Sequence, residues 1–196
     1  MPFDHFGLIA KFYNRVANYT LDNHAIRRID LPTRGKLLDV GGGTGRLAAA
    51  LIDQVDLVIV SDPSQGMLAH AAQKELDVVC ATAESLPYPE ACFSRIVMLD
   101  VLHHVHDQGV TIADLWRVLE PGGRLVIVEP DIHKFGVKLI AIAEKVLLMR
   151  SHFLSGEDIL SLVDFPGAQH HLVYDENNVW IILIKDDQLE NKSTLR

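Results

Sequence analysis

Leu37-Leu38-Asp39-Val40-Gly41-Gly42-Gly43-Thr44-Gly45-Arg46-Leu47 decides how this chain is read. A short apolar run leads into a glycine-rich turn, and an amphipathic helix starts behind it. That order is a strand–loop–helix unit of the nucleotide-binding kind. Glycine lets such a loop adopt positive φ and bring its backbone close to a ligand. The spacing separates two readings. A dinucleotide loop places glycine at its first, third and sixth positions. Counted from Gly41, the third is Gly43 but the sixth is Arg46, whose side chain would obstruct close helix–strand packing. Glycines occupy the first, third and fifth positions instead, with Asp39 two residues ahead of the first.

Downstream, Leu57-Val58-Ile59-Val60 reads as a second buried parallel strand. It ends at Ser61-Asp62, and Asp62 lies 21 residues after Gly41. A carboxylate at the end of a second strand can accept both hydroxyls of a ribose. Asp62 can equally begin the next helix, with Ser64 as its N-cap; the two roles are compatible. Pro63-Ser64-Gln65-Gly66-Met67-Leu68 follows.

Asp39 with the three alternating glycines resembles motif I of the class I S-adenosylmethionine (SAM) methyltransferases. Further segments extend the resemblance over about residues 36–130. Ala83-Glu84-Ser85-Leu86-Pro87-Tyr88 is similar to the family's Ala-Glu-x-Leu-Pro-Phe segment. Leu102-His103-His104-Val105 is similar to its Leu-His-His-Val signature. Arg117-Val118-Leu119-Glu120-Pro121-Gly122-Gly123 is similar to the turn before its fifth strand. The small-molecule group that includes the ubiquinone/menaquinone-biosynthesis enzymes is the nearest in pattern. The resemblance implies SAM as cofactor and transfer of its methyl group to a small-molecule acceptor, at oxygen or carbon. It implies a cofactor site at Asp39, Gly41, Gly42, Gly43, Asp62, Pro63, Met67, Thr82, Ala83 and Leu99, with Pro63 packing on the adenine. Thr82 stands where the family usually has Asp, so a neutral hydroxyl replaces a carboxylate opposite the adenine amino group. Ser94 stands where the family's fourth strand has Asp. The other reading is a SAM-binding regulatory or assembly protein without transfer activity.

Composition fits a soluble globular protein, with 48% hydrophobic and 22% charged residues. The net charge of −8 and the lack of a cationic cluster speak against a nucleic-acid partner. Met1-Pro2-Phe3-Asp4-His5 is no signal peptide. No stretch reads as a transmembrane segment, so a cytoplasmic location is expected. Cys80 and Cys92 are too few for a disulfide framework. Cys80 is expected to be buried in its apolar strand.

Strands are expected near 36–40, 57–61, 78–81, 94–99 and 124–129, with helices near 44–53, 64–75 and 109–119. Alternation of strand and helix implies a parallel sheet covered on both faces. Gln169–Tyr174 and Val179–Lys185, joined by Asp175-Glu176-Asn177-Asn178, read as an antiparallel hairpin. The expectation is a single α/β domain over 1–196 with a Rossmann-like, mostly parallel seven-stranded sheet. Its last strand is antiparallel, inserted between the fifth and sixth. Residues 1–30 form an N-terminal helical lid and 131–165 a helical insertion on the substrate side. The ligand belongs at the carboxyl ends of strands one, two and four.

Residues 137–149 are more apolar than a single helical stripe requires. They read as a helix buried on several sides, or as a lid or homodimer surface beside an apolar or aromatic substrate. His103, His104 and His106 with Asp100 and Asp107 could ligate a metal, but a general base is the preferred reading and no metal is assigned. His103, His104, Glu129, Asp131 and His133 are the candidate bases, unranked, so the catalytic residue stays open.

Overall fold

The computed structural model describes residues 23–134, 137–138 and 151–187. Seven strands form one sheet: β1 (Lys36–Val40), β2 (Leu57–Asp62), β3 (Asp77–Cys80), β4 (Phe93–Leu99), β5 (Leu119–Pro130), β6 (Ala168–Tyr174) and β7 (Asn178–Lys185). Their spatial order is β3-β2-β1-β4-β5-β7-β6. The strands from β3 to β5 pair in parallel, while β7 runs antiparallel to both β5 and β6. This is the Rossmann-like sheet that the alternating pattern implies, with the last strand inserted as expected. The order reverses at β1, which has β2 on one side and β4 on the other. Such a reversal opens a crevice at the carboxyl ends of the strands.

The two-residue period of a strand sorts the core into two layers. Ile59, Leu38, Ile96, Leu125 and Leu183 stand in register across five strands. They share one face with Ile112, Leu115 and Trp116 of α4 (Gln108–Val118) and Ile159 of α5 (Gly156–Ser161). The opposite face carries Leu37, Val97, Val126 and Ile182. It packs on Ala25 and Ile29 of α1 (Asn23–Ile29), Ala48 and Leu51 of α2 (Arg46–Leu51), and Leu68 and Ala71 of α3 (Gln65–Ala72). Burying a Leu or Ile side chain contributes about 1.5–3 kcal/mol each, so both layers are needed to hold the sheet.

Helix starts follow local chemistry. Ser64 Oγ accepts from Met67 N and caps α3; an Asp107 oxygen accepts from Val110 N and caps α4. Ser155 and Asp158 form a reciprocal capping box at α5. That helix lies inside the expected insertion.

Two expectations need correction. The fifth strand begins at Leu119, not near 124. Leu119 pairs with Phe93 and Arg124 with Arg95, so β5 advances five residues while β4 advances two. Pro121-Gly122-Gly123 is the resulting bulge inside the strand rather than a turn before it. Cys80 is exposed, not buried. β3 is an edge strand, and its last residue lies where no further strand covers it.

Most of the expected lid and nearly all of the 137–149 helix lie outside the described residues. The described part of 1–30, α1, belongs to the layer covering the sheet. Ala25 and Ile29 are buried there, and the Arg28 guanidinium lies 4.4 Å from the centre of the Trp180 ring. Among the described residues, no helix is long and apolar enough to cross a membrane.

Candidate cofactor site

The glycines after β1 serve different physical ends. Gly41, Gly43 and Gly45 all have left-handed backbones, with φ of 67°, 55° and 69°. Side chains with a β-carbon adopt that region only at a cost. A β-carbon on Gly45 would lie 2.5 Å from Leu76 Cδ1 and 3.0 Å from Ala71 Cβ. The fifth position therefore carries the close packing that a dinucleotide loop assigns to its sixth. Arg46 opens α2 partly exposed, without having to fit that contact. Gly43 is different. Among the described residues, the nearest atoms to a β-carbon there would be Met67 Sδ at 3.9 Å and Asp62 Oδ2 at 4.0 Å. With Gly41 O, also at 4.0 Å, these are ordinary van der Waals distances, and two of the three atoms belong to expected site residues.

Asp39 stands in an unusual row. Its neighbours across the sheet are Val60 and Val97, and the row continues to Val126 and Ile182. A carboxyl group thus sits among aliphatic side chains, 1% exposed. Burial pushes it up to about 7; the backbone N–H of Ala48 opposes that shift, and the nearby Asp62 charge adds to it. Among the described residues Asp39 Oδ2 has no hydrogen-bond partner. Gly42 lies directly against it: a β-carbon there would be 2.5 Å from that oxygen.

Asp62 closes the other side. Its Oδ2 accepts from Gly43 N at 3.0 Å and its Oδ1 from Ser64 N at 2.8 Å. The carboxylate thus ties the glycine loop to the end of β2. Met67 is buried beside the loop, and Pro63 is exposed, its carbonyl oxygen accepting from the Cys80 thiol at 3.6 Å. Ala81 N donates to Asp62 O at 3.3 Å, which carries the chain from β3 back to the site. Thr82 follows, exposed, and then Ala83, buried. Leu99, at the end of β4, packs on the α1–α3 side of the core.

These residues fit SAM on two structural grounds. The orphaned buried oxygen of Asp39 suits a cationic partner, and SAM carries both an ammonium and a sulfonium. Gly43 presents bare backbone, with no side chain, between Met67 and Asp62.

Comparison with known proteins points the same way. A family model described as "Methyltransferase domain" matches residues 38–127. Residues 38–127 are thus similar to a methyltransferase domain. The matched stretch contains every residue of the expected cofactor site. The ubiquinone/menaquinone biosynthesis C-methyltransferase UbiE of Escherichia coli O1:K1 is 32% identical over 122 residues, covering 57% of this chain and 47% of that protein. The chain spans about half the length of the curated relatives it matches. Among solved structures, a SAM-dependent methyltransferase from Thermotoga maritima superposes with a TM-score of 0.71 at 22% identity, over 92% of this chain and 98% of that one. The [4+2]-cyclase SpnF superposes with a TM-score of 0.72 at 19% identity, over 92% and 93%. These last two likenesses establish the fold alone, and the second shows that the fold also serves chemistry with another name.

A second cluster of polar side chains lies where β4 and β5 end. Glu129 is buried, and its Oε1 accepts from Val101 N at 3.0 Å and Leu102 N at 2.7 Å. Its Oε2 accepts from His103 Nδ1 at 2.5 Å. His103 is buried as well, stacked on Phe153 with ring centres 4.2 Å apart. His104 is half-buried, and its Nδ1 lies 3.2 Å from Ser151 Oγ. Asp131 is buried, with Oδ1 accepting from His133 N at 3.0 Å, while His133 itself is exposed. The five candidate bases therefore occupy quite different environments.

The geometry also gives work to residues that sequence reasoning passed over. Val101 fills the space over Gly41, where a β-carbon would lie 2.5 Å from both of its methyl carbons. Through Glu129, β5 fixes Val101 and so sets the floor of the glycine loop. Arg117 donates to Tyr88 O at 2.7 Å and Leu86 O at 3.1 Å, so this residue of the Arg-Val-Leu motif braces the loop after Thr82. No pattern in the sequence distinguishes these roles from ordinary surface charge.

Proposed function

We propose that this chain is a SAM-dependent methyltransferase acting on a small-molecule acceptor, by O- or C-methylation. The observation that carries the reading is the buried carboxyl of Asp39 pressed against Gly42, with Oδ2 lacking a hydrogen-bond partner among the described residues. Bound SAM supplies an electrophilic methyl group on its sulfonium.

The chain's own residues bind and orient. Asp39 gives a counter-charge to the ammonium in a setting poor in water, where an ion pair is strengthened. Asp62 accepts the ribose hydroxyls while holding Gly43. Pro63 and Met67 border the adenine, and Thr82 offers its hydroxyl to the adenine edge. Leu99 and Ala83 complete the apolar wall. Positioning an acceptor against a fixed donor is the main contribution such a site makes.

An apolar or aromatic acceptor suits this reading. UbiE's name assigns it to ubiquinone/menaquinone biosynthesis, and the sequence of residues 137–149 is strongly apolar. The net charge of −8 disfavours nucleic acid. A homodimer through the same apolar segment belongs to this proposal. No observation favours a SAM-binding protein without transfer activity. The test is release of S-adenosylhomocysteine from SAM in the presence of phenols, quinols, amines and carboxylic acids in turn. Turnover with one class supports the proposal and names the acceptor chemistry. SAM binding without turnover on any class opposes it.

A further inference from the structure

We infer that Lys74 is a positioning residue for the cofactor loop: from the turn after α3 it holds the Thr44 carbonyl, and through it the setting of Asp39. This rests on the methyltransferase reading above.

The turn between α3 and β3 is built against the glycine loop. Lys74 N donates to Ala71 O at 2.9 Å and Glu75 N to Ala72 O at 3.0 Å, which closes the end of the helix. Glu75 then takes a left-handed backbone with φ of 60°, a region that a residue with a β-carbon adopts only at a cost. The residues on either side of it meet consecutive residues of the loop. Lys74 is exposed, yet its Nζ reaches the buried Thr44 and donates to its carbonyl oxygen at 2.7 Å. Leu76 packs on Gly45, where a β-carbon would lie 2.5 Å from its Cδ1. Thr44 stands between two left-handed glycines, Gly43 and Gly45. Glycine backbones accept many conformations, so contacts from outside select this one.

The hold on Thr44 extends to Asp39. Thr44 and Gly45 lead directly into α2, and Gly45 has no side chain to cap that helix. The first N–H groups of a helix need partners from elsewhere. Here the Ala48 N–H, in the first turn of α2, donates to the Asp39 carboxyl. A shift of the chain at Thr44 moves that donor, and with it the one backbone bond that opposes the burial of Asp39.

Charge alone would argue against a lysine at this place. Burial, and then the like charge of Arg46 at the start of α2, hold the Lys74 ammonium below the ordinary lysine range. A cation beside the loop also repels a cationic ligand. Acting only as a charge, Lys74 weakens SAM. Acting through its hydrogen bond, it strengthens SAM by presetting the loop in its binding conformation. The two roles therefore differ in sign.

The experiment compares the full wild-type chain with Lys74→Met and Lys74→Arg. Affinities for SAM and S-adenosylhomocysteine are measured by calorimetry. Melting temperature and amide hydrogen exchange are measured on the ligand-free proteins. Lys74→Met keeps the length of the side chain and removes the donor. It should weaken both ligands alike by about tenfold, the effect of losing one hydrogen bond to a charged group. Its melting temperature should stay within about 2 °C of wild type. Exchange should quicken at Gly45 N, which donates to Gly42 O at 2.9 Å, and at Ala49 N, which donates to Gly45 O at 3.0 Å. Lys74→Arg restores a charged donor and should recover most of the affinity and the slow exchange. The assignment is overturned if Lys74→Met binds both ligands as tightly as wild type or more tightly. It is also overturned if exchange at Gly45 is unchanged, or if SAM, with its extra positive charge, gains relative to S-adenosylhomocysteine. Failure of wild type to bind either ligand would instead remove the methyltransferase reading beneath it, while exchange at Gly45 would still report whether Lys74 holds the loop.

Discussion

Gly42 is pressed against Asp39: a β-carbon at position 42 would sit 2.5 Å from Asp39 Oδ2 and 2.6 Å from its Cγ. The two residues form one device. The glycine gives the buried carboxyl room to remain where it is, on the aliphatic row between Val60 and Val97. Gly42→Ala keeps an acceptable backbone, because φ at this position is not left-handed. Its methyl group must displace Asp39. SAM affinity should fall at least about tenfold, about 1.4 kcal/mol, with a lower melting temperature. Calorimetry and thermal melting of the variant check this, and unchanged affinity would mean that Asp39 does not face the donor.

The raised ionisation of Asp39 has a signed consequence. Its folded value, about 7, lies above the ordinary carboxyl value of 3.8. Between those values the unfolded chain has released the proton and the folded chain still holds it. Stability from this group therefore falls as pH rises from about 4 to about 7, and is flat above. About three pKa units correspond to about 4 kcal/mol at most. Asp39→Asn should flatten that slope and stabilise the ligand-free protein at neutral pH while weakening SAM. Urea unfolding at pH 5 and pH 8, for both proteins, reads the difference.

Proton loss from Asp39 should also favour a cationic ligand. SAM affinity is expected to rise with pH up to about 7 in wild type, and to lose this dependence in Asp39→Asn. Calorimetry in buffers of different ionisation enthalpy would show proton release on binding near pH 7. No proton release there would separate Asp39 from the ligand.

Asp62 holds two backbone N–H groups, of Gly43 and Ser64, besides any ribose hydroxyls. Hydrogen bonds to a charged group contribute about 1.5–3 kcal/mol each. Asp62→Ala should cost ten- to hundredfold in SAM affinity and also lower the melting temperature of the ligand-free protein. A lower melting temperature with unchanged affinity would make the residue a loop tie only.

Thr82 is exposed just past β3, and the family resemblance puts a carboxylate at this position opposite the adenine amino group. Thr82→Asp should tighten SAM several-fold, since a charged acceptor outweighs a neutral one by about 1 kcal/mol. Weaker or unchanged binding by a folded variant would place Thr82 away from the adenine.

Much of this architecture is legible in the sequence, for identifiable reasons. Unbroken apolar runs such as Leu57–Val60 and Ile96–Leu99 mark strands buried on both faces. Ser64 announces a helix start through its side-chain oxygen. The spacing of Gly41, Gly43 and Gly45 reflects three left-handed backbones, so the loop type could be read without coordinates. What stayed hidden depends on tertiary neighbours. The early start of β5 at Leu119 comes from its pairing with Phe93 across a bulge. The exposure of Cys80 comes from strand order. The role of Glu129 depends on where Val101, Leu102 and His103 come to lie, about 26 to 28 residues earlier. An apolar strand ending in Glu carries no sign of that.

The central claim is that the loop between β1 and α2 receives SAM rather than a dinucleotide. Titration calorimetry of the full chain with SAM, S-adenosylhomocysteine and NAD tests it directly. The account predicts one saturable site for each of the first two and no heat of binding with NAD. Tighter binding of NAD than of SAM, or no binding of either SAM or S-adenosylhomocysteine by the folded protein, would contradict it.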